Sequence, residues 1–425
     1  MKALTITLAL LAAGPVCAQV VALRAGTVID PAKGTVLHDQ TIVIDHGVIK
    51  SIGAKVEVPA GAQVVDLSHE WVMPGLIDAH THLTLTEITG NAPFESFFLK
   101  ETSAYRAMRG LHNANTLVNA GFTTIRDLGN GAEYAMMDVR RGIDNGWFVG
   151  PNVLTTGKII TPFGGQSNKI PAEQGSFWKY EYIDADGPAE IRKAVRTNIY
   201  YGADVIKLVL DNQSYHYSVE EIRTAVDEAH HAGIPVSVHV YGGEAADNAI
   251  EAGVDSIEHG FDLTDAQLKK MKDKGIYLVS TDFPRAHLDI VGGSGGIFPD
   301  PPAVMAAKII DRLTRAHKLG VHLAFGSDTV VEVEGRTRAD LMFDYLGVWG
   351  LAGVPTMDIL KSWTSEPAAL LRVDKLRGRV AEGYQADLIA IPADPVANVE
   401  NLRRINFVMR GDKIIRNDLA SAAKN

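Results

Sequence analysis

Residues 231–241 read HAGIPVSVHVY, where a glycine separates the end of a helical pattern from an apolar strand pattern. Glycine after the last turn of a helix adopts the left-handed conformation that ends the helix. Strands that read as continuous apolar runs are typical of parallel sheets whose two faces are buried. This stretch therefore predicts one helix-to-strand step of a parallel α/β fold.

The same step recurs at other places along the middle of the chain. They are NAGFTTIRDLG (119–129), YYGADVIKLVL (200–210), EAGVDSIEHG (251–260), DKGIYLVST (273–281) and KLGVHLAFGSD (318–328). Two further strand patterns, WVMPGLIDAHTH (71–82) and PNVLTTGKII (151–160), bring the total to eight strands. The repetition predicts a closed (β/α)8 TIM-like barrel over residues 70–372. An open, doubly wound sheet is the alternative, although we find no glycine-rich fingerprint for a dinucleotide.

The two segments that flank the predicted barrel have a different pattern. Residues 19–69 and 373–425 contain short alternating β-patterns separated by turns with glycine. We expect both ends of the chain to pair into one small β-domain, a β-sandwich, beside the barrel.

The first 18 residues have the pattern of a cleaved secretory signal. Lys2 is followed by an apolar run and then by small residues up to Ala18. We expect cleavage before Gln19 and export, either to the periplasm or out of the cell, with no membrane anchor after cleavage. A short buried helix and a lipoprotein attached through Cys17 are the alternatives. Cys17 is the only cysteine, so the mature chain would contain no disulfide.

The charge of the chain argues against a nucleic-acid partner. The 425 residues carry a formal net charge of −10 and show no cluster of lysine and arginine. Phosphate backbones require such a cluster. The sequence therefore predicts no nucleic-acid partner.

Residues with metal-ligating side chains accumulate where the predicted barrel strands end, which is where TIM-like barrels carry their sites. They are His80, His82, Lys207, His239, His259 and Asp328. His80 and His82 point to the same side because side chains alternate along a strand. Singly, each histidine could be a hydrogen-bonded core residue and Asp328 a helix cap. A lysine inside a buried strand must be paired or chemically altered. Together they are the nitrogen and oxygen set of a catalytic zinc-type centre with open positions.

These residues lie in motifs that resemble the amidohydrolase superfamily over essentially the whole mature chain. The motifs are PGLIDAHTHL, VIKL, SVHVYG, IEHG, GSD and GYQADLIAI. The closer resemblance is to the imidazolonepropionase-like branch, which contains Xaa-Pro dipeptidases and ochratoxin-degrading amidohydrolases.

The resemblance implies a centre of two divalent metal ions, usually zinc, although the ligand set also accepts manganese or cobalt. Lys207 would be carboxylated and would bridge the two ions. His80, His82 and Asp328 would hold the more buried ion, and His239 with His259 the more exposed one. Asp328 would also serve as general base and then general acid for a water activated by the two ions.

Substrate contacts are expected from residues near the strand ends. Tyr241 resembles the tyrosine with which this branch touches the substrate carbonyl or carboxylate, and a packing role is the alternative. Arg285 and His287 are expected to meet a substrate carboxylate or the oxyanion, unless they are solvated loop charges.

The long segments after strands three and seven are expected to be lids or walls of the site. Phe163, with Phe177, Trp178 and Tyr180, would line an apolar pocket or bury a subunit contact. Gln166 stands where many members of the branch carry histidine, so their substrate preference cannot be transferred. Asp127 is expected to support the metal histidines as a hydrogen-bond acceptor.

We therefore expect an exported, binuclear metal-dependent amidohydrolase with carboxypeptidase-like action. It would release a C-terminal amino acid from dipeptides, N-acyl amino acids or amide conjugates such as ochratoxin A. A cyclic-amide hydrolase or deaminase of the same superfamily is the alternative. The alternatives that are not enzymes are a non-catalytic scaffold and a metal-storage protein. The resemblance also implies a homo-oligomer, commonly an octamer.

Overall fold

The computed structural model describes residues 20–86, 100–129, 131–166, 171–211, 215–292, 298 and 300–419. The expected signal segment, 1–18, lies outside the described residues. Within these ranges, no helix is both long and apolar enough to cross a membrane.

The chain begins with four strands that belong to a small β-domain. They are β1 (Val21–Asp30), β2 (Thr35–Asp45), β3 (Val48–Gly53) and β4 (Gln63–Pro74). The central strand β1 pairs antiparallel with β2 and parallel with β4. Its residues are mostly buried, because the sheet packs around a core of its own.

The barrel strands follow directly after β4. They are β5 (Leu76–Thr81), β6 (Phe122–Asp127), β7 (Asn152–Thr155), β8 (Ile159–Thr161), β10 (Ile206–Val209), β11 (Val236–Gly242), β12 (Ser256–Asp262), β13 (Tyr277–Val279) and β14 (Leu323–Ala324), with β9 (Tyr182–Asp184) as an extra strand beside β8. All of their pairings are parallel. The third barrel strand is split, since β7 pairs with β6 while β8 pairs with β10.

Backbone hydrogen bonds between β5 and the chain around β14 close the ring. The Ala79 amide donates to the Phe325 carbonyl at 2.9 Å, and the Asp328 amide donates to the His80 carbonyl at 2.7 Å. The predicted eight-stranded barrel is thus confirmed, and its closure brings the ends of the first and last strands side by side.

Helices cover the outside of the barrel and connect its strands. They are α1 (Ser103–Asn119), α2 (Ala135–Asp144), α3 (Gly187–Tyr200), α4 (Val219–His231), α5 (Gly243–Ala252), α6 (Asp265–Lys274), α7 (Arg285–Gly292), α8 (Pro302–Leu319), α9 (Arg338–Phe343), α10 (Tyr345–Leu351), α11 (Thr356–Ser362) and α12 (Ser365–Leu370). The glycines of the predicted helix-to-strand steps all have positive φ, from +70° to +102°; they are Gly121, Gly202, Gly233, Gly253, Gly275 and Gly320.

The last strands return to the β-domain. They are β15 (Leu388–Ile391), β16 (Phe407–Arg410) and β17 (Lys413–Asn417). Because β15 pairs with β4, the domain forms one seven-stranded sheet in the order β17-β16-β15-β4-β1-β2-β3. The expected small β-domain is therefore built from both ends of the chain.

The segment after strand seven differs from the loop predicted for it, because helix α7 forms there. Leu288 and Val291, three positions apart, are both buried and give the helix an apolar face. The glycines and prolines near its ends obscured this short helical pattern.

Candidate active site

Three of the predicted side chains converge where β5 and β14 end. The Nε2 atoms of His80 and His82 are 3.2 Å apart. Asp328 Oδ1 lies 3.3 Å from His82 Nε2 and 3.6 Å from His80 Nε2. Ligand atoms of His80, His259 and Asp328 also lie within 4.8 Å of one another. This is a cluster of nitrogen and oxygen donors around one point.

His239 and His259 extend the cluster along the neighbouring strand ends. Their ring centroids are 4.4 Å apart, and the His259 ring is 5.2 Å from that of His80. Burial lowers the pKa of His80 to about 4, and burial with the neighbouring His239 holds the pKa of His259 well below its usual value. The imidazoles of His80 and His259 are therefore uncharged at neutral pH, which is the form that binds metals.

Lys207 lies in the same region with its ammonium group inside the barrel. Its side chain is 2% exposed, and Nζ has no hydrogen-bond partner in the described part of the chain. Burial lowers its pKa to about 8, although Glu258 and Asp328 favour the charged form. All six side chains that the sequence predicted as ligands therefore belong to one region.

Each histidine also has one ring nitrogen next to a polar atom outside the donor cluster. The pairs are His80 Nδ1 with Glu258 Oε2 (2.8 Å), His82 Nδ1 with the Gly129 carbonyl (2.8 Å), His239 Nε2 with Asp211 Oδ1 (3.3 Å) and His259 Nδ1 with Thr281 Oγ1 (2.9 Å). Contacts of this kind fix the orientation and tautomer of metal-binding histidines. The donor set therefore fits metal ions, since Nε2 of both His80 and His82 faces the other donors of the cluster.

Glu258 connects His80 to a buried network across the barrel. Its Oε1 accepts hydrogen bonds from Arg126 Nη2 at 2.8 Å and from the hydroxyls of Ser237 and Ser256 at 2.7 Å. Glu258 and Arg126 are both 0% exposed. Burial by itself would raise the pKa of Glu258, but Arg126 and His80 outweigh it and hold the pKa well below its usual value. The carboxylate is therefore ionised.

Asp328 is also held in its ionised form. Burial would raise its pKa, but the neighbouring His80, His82 and Lys207 lower it. A buried, ionised carboxylate beside the donor cluster can accept a proton from a water bound there.

The backbone is strained at three of the strand ends in this region. His259, Thr281 and Asp328 have φ values of +68°, +44° and +50°. Residues other than glycine seldom adopt this conformation, and such outliers tend to collect at functional sites.

Two of the expected substrate contacts lie beside His239. The Tyr241 ring centroid is 4.9 Å from that of His239. Gln166 Nε2 lies 3.4 Å from His239 Nε2, and Gln166 Oε1 accepts a hydrogen bond from the Tyr182 hydroxyl at 3.3 Å. Both side chains therefore border the donor cluster.

The aromatic residues of the segment after strand three pack against one another and differ in exposure. Phe163 is 67% exposed and meets the edge of the Trp178 ring at 5.4 Å. Trp178 is buried and packs with Ile159 and Val209. Phe177 packs against the same group, with its ring centroid 5.7 Å from that of Trp178, and together with Tyr180 it also packs with Leu85.

The structure places Arg285 and His287 on α7, with contacts to other carboxylates. Arg285 is half exposed and pairs with Asp289, one turn along the helix, at 2.7 Å. His287 is buried, and its Nε2 lies 3.2 Å from Asp344 Oδ2. Helical geometry explains this difference from the prediction, because it turns Arg285 outward beside Asp289.

The acceptor role that was expected of Asp127 falls to other residues. Asp127 accepts a hydrogen bond from the Leu83 amide at 2.8 Å, while Glu258 and the Gly129 carbonyl meet His80 and His82. Arg126 and Glu258 were recognisable from the sequence on the same ground as Lys207, because each is a charged residue inside a buried strand. Asp211 and Thr281 offered no comparable signal in the sequence.

Comparison with known proteins finds that the chain is similar to hydrolases of amide bonds. The sequence profile of the amidohydrolase family matches residues 71–415. An ochratoxinase from Aspergillus niger is 28% identical over 439 aligned positions, which cover 94% of this chain and 87% of that protein.

Solved structures give the same result. The crystal structure of an Xaa-Pro dipeptidase with methionine in its active site superposes with a TM-score of 0.82 and 27% identity, and covers 94% of this chain and all of that one. The crystal structure of the A. niger ochratoxinase gives a TM-score of 0.79 and 26% identity, over 94% of this chain and 96% of that one.

Proposed function

Because this chain belongs to the amidohydrolase family, we propose that it is a binuclear metal-dependent enzyme with carboxypeptidase-like action. Hydrolysis of carbon–nitrogen amide bonds follows from the family and its relatives. The two-metal centre, the release of a C-terminal amino acid and export from the cytoplasm are the proposal.

The environment of Lys207 is the observation that carries the two-metal centre. A buried primary amine without a hydrogen-bond partner among the described residues, and with its pKa lowered to about 8, is unprotonated in about a tenth of molecules at pH 7. The free amine can attack carbon dioxide, forming an N–C bond and releasing one proton. The resulting carbamate would present two oxygens between the histidine pairs.

Two groups of ligands would then share that carbamate. His80, His82 and Asp328 would hold one cation, and His239 with His259 the other. Zinc is the cation that suits this set of imidazole and carboxylate donors. When bound, the pair of cations would polarise the scissile carbonyl and lower the pKa of a water molecule.

Asp328 would move the proton in this reaction. Its carboxylate, ionised and adjacent to His80 and His82, would accept a proton from the attacking water. It would then deliver that proton to the amide nitrogen, which is a poor leaving group without it. Tyr241 and Gln166, which both lie next to His239, would contact the substrate carbonyl or carboxylate.

The names of two relatives support the substrate class that we propose, since one is an ochratoxinase and the other an Xaa-Pro dipeptidase. We infer that this chain cleaves dipeptides, N-acyl amino acids or amide conjugates such as ochratoxin A, and that it works as a homo-oligomer.

The test uses the mature protein from Gln19 onward, loaded with zinc in bicarbonate. Bound zinc per chain and release of free amino acid are measured on a panel of N-acyl amino acids, Xaa-Pro dipeptides and ochratoxin A. Asp328→Asn is expected to lower turnover by about 10²- to 10⁴-fold, the usual contribution of a general acid–base group. Lys207→Ala is expected to lose both bound zinc and turnover, whereas Lys270→Ala, on an exposed surface, serves as the matched control.

Absence of amino acid release from every compound, with two zinc ions bound, would overturn the carboxypeptidase-like action. The search would then move to cyclic amides and deamination substrates.

A further inference from the structure

We propose that Thr281 is a positioning residue for the second cation, the one that His239 and His259 would hold. Its hydroxyl accepts the Nδ1–H of His259 and thereby presents His259 Nε2 as the ligand. This inference rests on the proposed function, because it requires a centre with two cations.

The contact between the two side chains is direct and buried. Thr281 Oγ1 lies 2.9 Å from His259 Nδ1, and the residues are 0% and 4% exposed. A neutral imidazole carries its proton on one nitrogen only. If that proton lies between Nδ1 and the hydroxyl, the lone pair is on Nε2. An acceptor at this position therefore selects the tautomer that can bind a metal through Nε2.

The backbone of Thr281 indicates that the position of its hydroxyl matters. Its φ of +44° is an outlier for a β-branched residue, and its partner His259 has a φ of +68°. Such conformations persist only where the surrounding structure fixes them. Here two strained residues at the ends of neighbouring strands, β12 and β13, meet through one hydrogen bond.

Arg312, on α8, fixes the residues on both sides of Thr281. Its Nη2 donates to the Ser280 carbonyl at 2.9 Å and lies 3.0 Å from Asp282 Oδ1. The Ser280 hydroxyl also donates to the Asp282 carboxylate. Arg312, Ser280 and Asp282 are at most 1% exposed, so solvent does not weaken these contacts.

The same guanidinium connects to the strand that carries His259. The carbon at its centre is 5.6 Å from the ring centroid of Phe261, two residues after His259. Arg312 therefore contacts both of the chain segments whose side chains meet at the hydrogen bond. Arg312 is therefore placed to keep Thr281 in the strained conformation that brings its hydroxyl next to His259.

Substitutions at Thr281 distinguish the effect of the hydroxyl group from the effect of the side-chain shape. Thr281→Val keeps the β-branched shape and removes the acceptor, whereas Thr281→Ser keeps the acceptor. Thr364→Val is the matched control, because Thr364 is also buried and its hydroxyl bonds to the Leu360 carbonyl, away from the histidines.

The measurement is the affinity for each of two zinc ions, obtained by chelator competition on the mature protein in bicarbonate. Loss of such an orienting contact usually weakens metal binding by about 10- to 100-fold. We expect Thr281→Val to lower the affinity for the second zinc ion by that factor and to leave the affinity for the first zinc ion unchanged. Thr281→Ser and Thr364→Val should retain both affinities.

The outcomes separate this inference from the proposed function. Fewer than two zinc ions in the wild type would overturn both. Two ions in the wild type, with both affinities unchanged or equally weakened in Thr281→Val, would overturn the role of Thr281 alone. If Thr281→Val does not fold, Thr281→Ala replaces it, and the same comparison of the two affinities decides.

Discussion

At the scale of single residues, the charge of Glu258 determines how firmly His80 is held. Glu258→Gln keeps the size of the side chain but leaves Arg126 as a buried charge without its partner. We expect a loss of about 3–5 kcal/mol in the free energy of unfolding, which is typical of a broken buried pair. The affinity for the first zinc ion should fall by about 10- to 100-fold. Denaturant unfolding and chelator competition measure the two effects.

Ser237→Ala is the control for Glu258→Gln, because it removes only one hydrogen bond from an uncharged donor to the same carboxylate. It should cost about 1.5–3 kcal/mol in the free energy of unfolding, as for hydrogen bonds to charged groups. An unchanged zinc affinity in Glu258→Gln would show that His80 does not depend on this contact.

Glu181 gives a prediction for the pH dependence of stability. Burial raises the pKa of its carboxyl group from 4.5 to about 7. The folded protein therefore binds a proton that the unfolded chain releases between these values, so stability falls as the pH rises through this range. Glu181→Gln should be more stable than the wild type at pH 8, by up to about 3 kcal/mol, and the advantage should vanish below pH 4.5.

Urea unfolding of the metal-free protein at a series of pH values tests the role of Glu181. If the free energies of unfolding of wild type and Glu181→Gln differ by the same amount at every pH from 4 to 8, folding does not raise the pKa of this carboxyl group.

The residues of the site differ in how far the sequence could predict them. The six ligand-type residues were recognisable because strand ends and motifs identify them. Asp211 and Thr281 were not, since their role depends on which strand ends face each other. Arg285 was assigned to the substrate because a helix at that position was not foreseen.

At the scale of secondary-structure elements, the helix-to-strand steps could be predicted from the sequence, because a glycine ends a helix through its own backbone conformation. Gly233 and Gly275, for example, have φ values of +75° and +70°. The split of the third barrel strand into β7 and β8 has no such local cause. It arises because the strand must pair with β6 at its start and with β10 at its end, and that requirement is set by closure of the barrel.

The contact between β14 and β5 leads to a prediction at Gly326. A Cβ added there would lie 2.6 Å from His80 Cβ and 2.4 Å from Val279 Cγ1. Gly326→Ala should therefore push His80 away from Asp328, with a loss of about 1–3 kcal/mol, as for other overpacked cores, and weaker zinc binding. Thermal or denaturant unfolding and chelator competition provide the measurements.

Gly253→Ala is the matched control for Gly326→Ala. Gly253 ends α5 with a φ of +84°, and nothing lies within 4 Å of an added Cβ. Only the left-handed conformation is then penalised, by about 1–2 kcal/mol, and zinc affinity should stay the same. Equal zinc affinities in the two variants would mean that the spacing of β14 and β5 does not control the site.

At the scale of the whole molecule, one end of the barrel carries the candidate active site and the other end contacts the β-domain. The donor cluster occupies the carboxyl ends of the strands, while the β-domain contacts the opposite end, where β4 leads through Gly75 into β5. Asp387, just before β15, joins the two parts. Its carbonyl accepts from the Gly75 amide at 2.8 Å, and its buried carboxylate accepts from Asn152, at the start of β7, at 3.0 Å.

Asp387 therefore allows stability to be separated from activity. Its carboxylate also pairs with Arg377 and accepts from the Gly411 amide at 3.0 Å. Asp387→Ala should lower the free energy of unfolding by about 3–5 kcal/mol, as when one partner of a buried pair is removed. Zinc affinity should not change, because residues at this end of a barrel serve stability while those at the carboxyl end serve catalysis. Asp247→Ala, which breaks an exposed pair with Lys270, should cost at most about 1 kcal/mol. A fall in zinc affinity in Asp387→Ala would show that the β-domain controls the geometry of the distant site through β5.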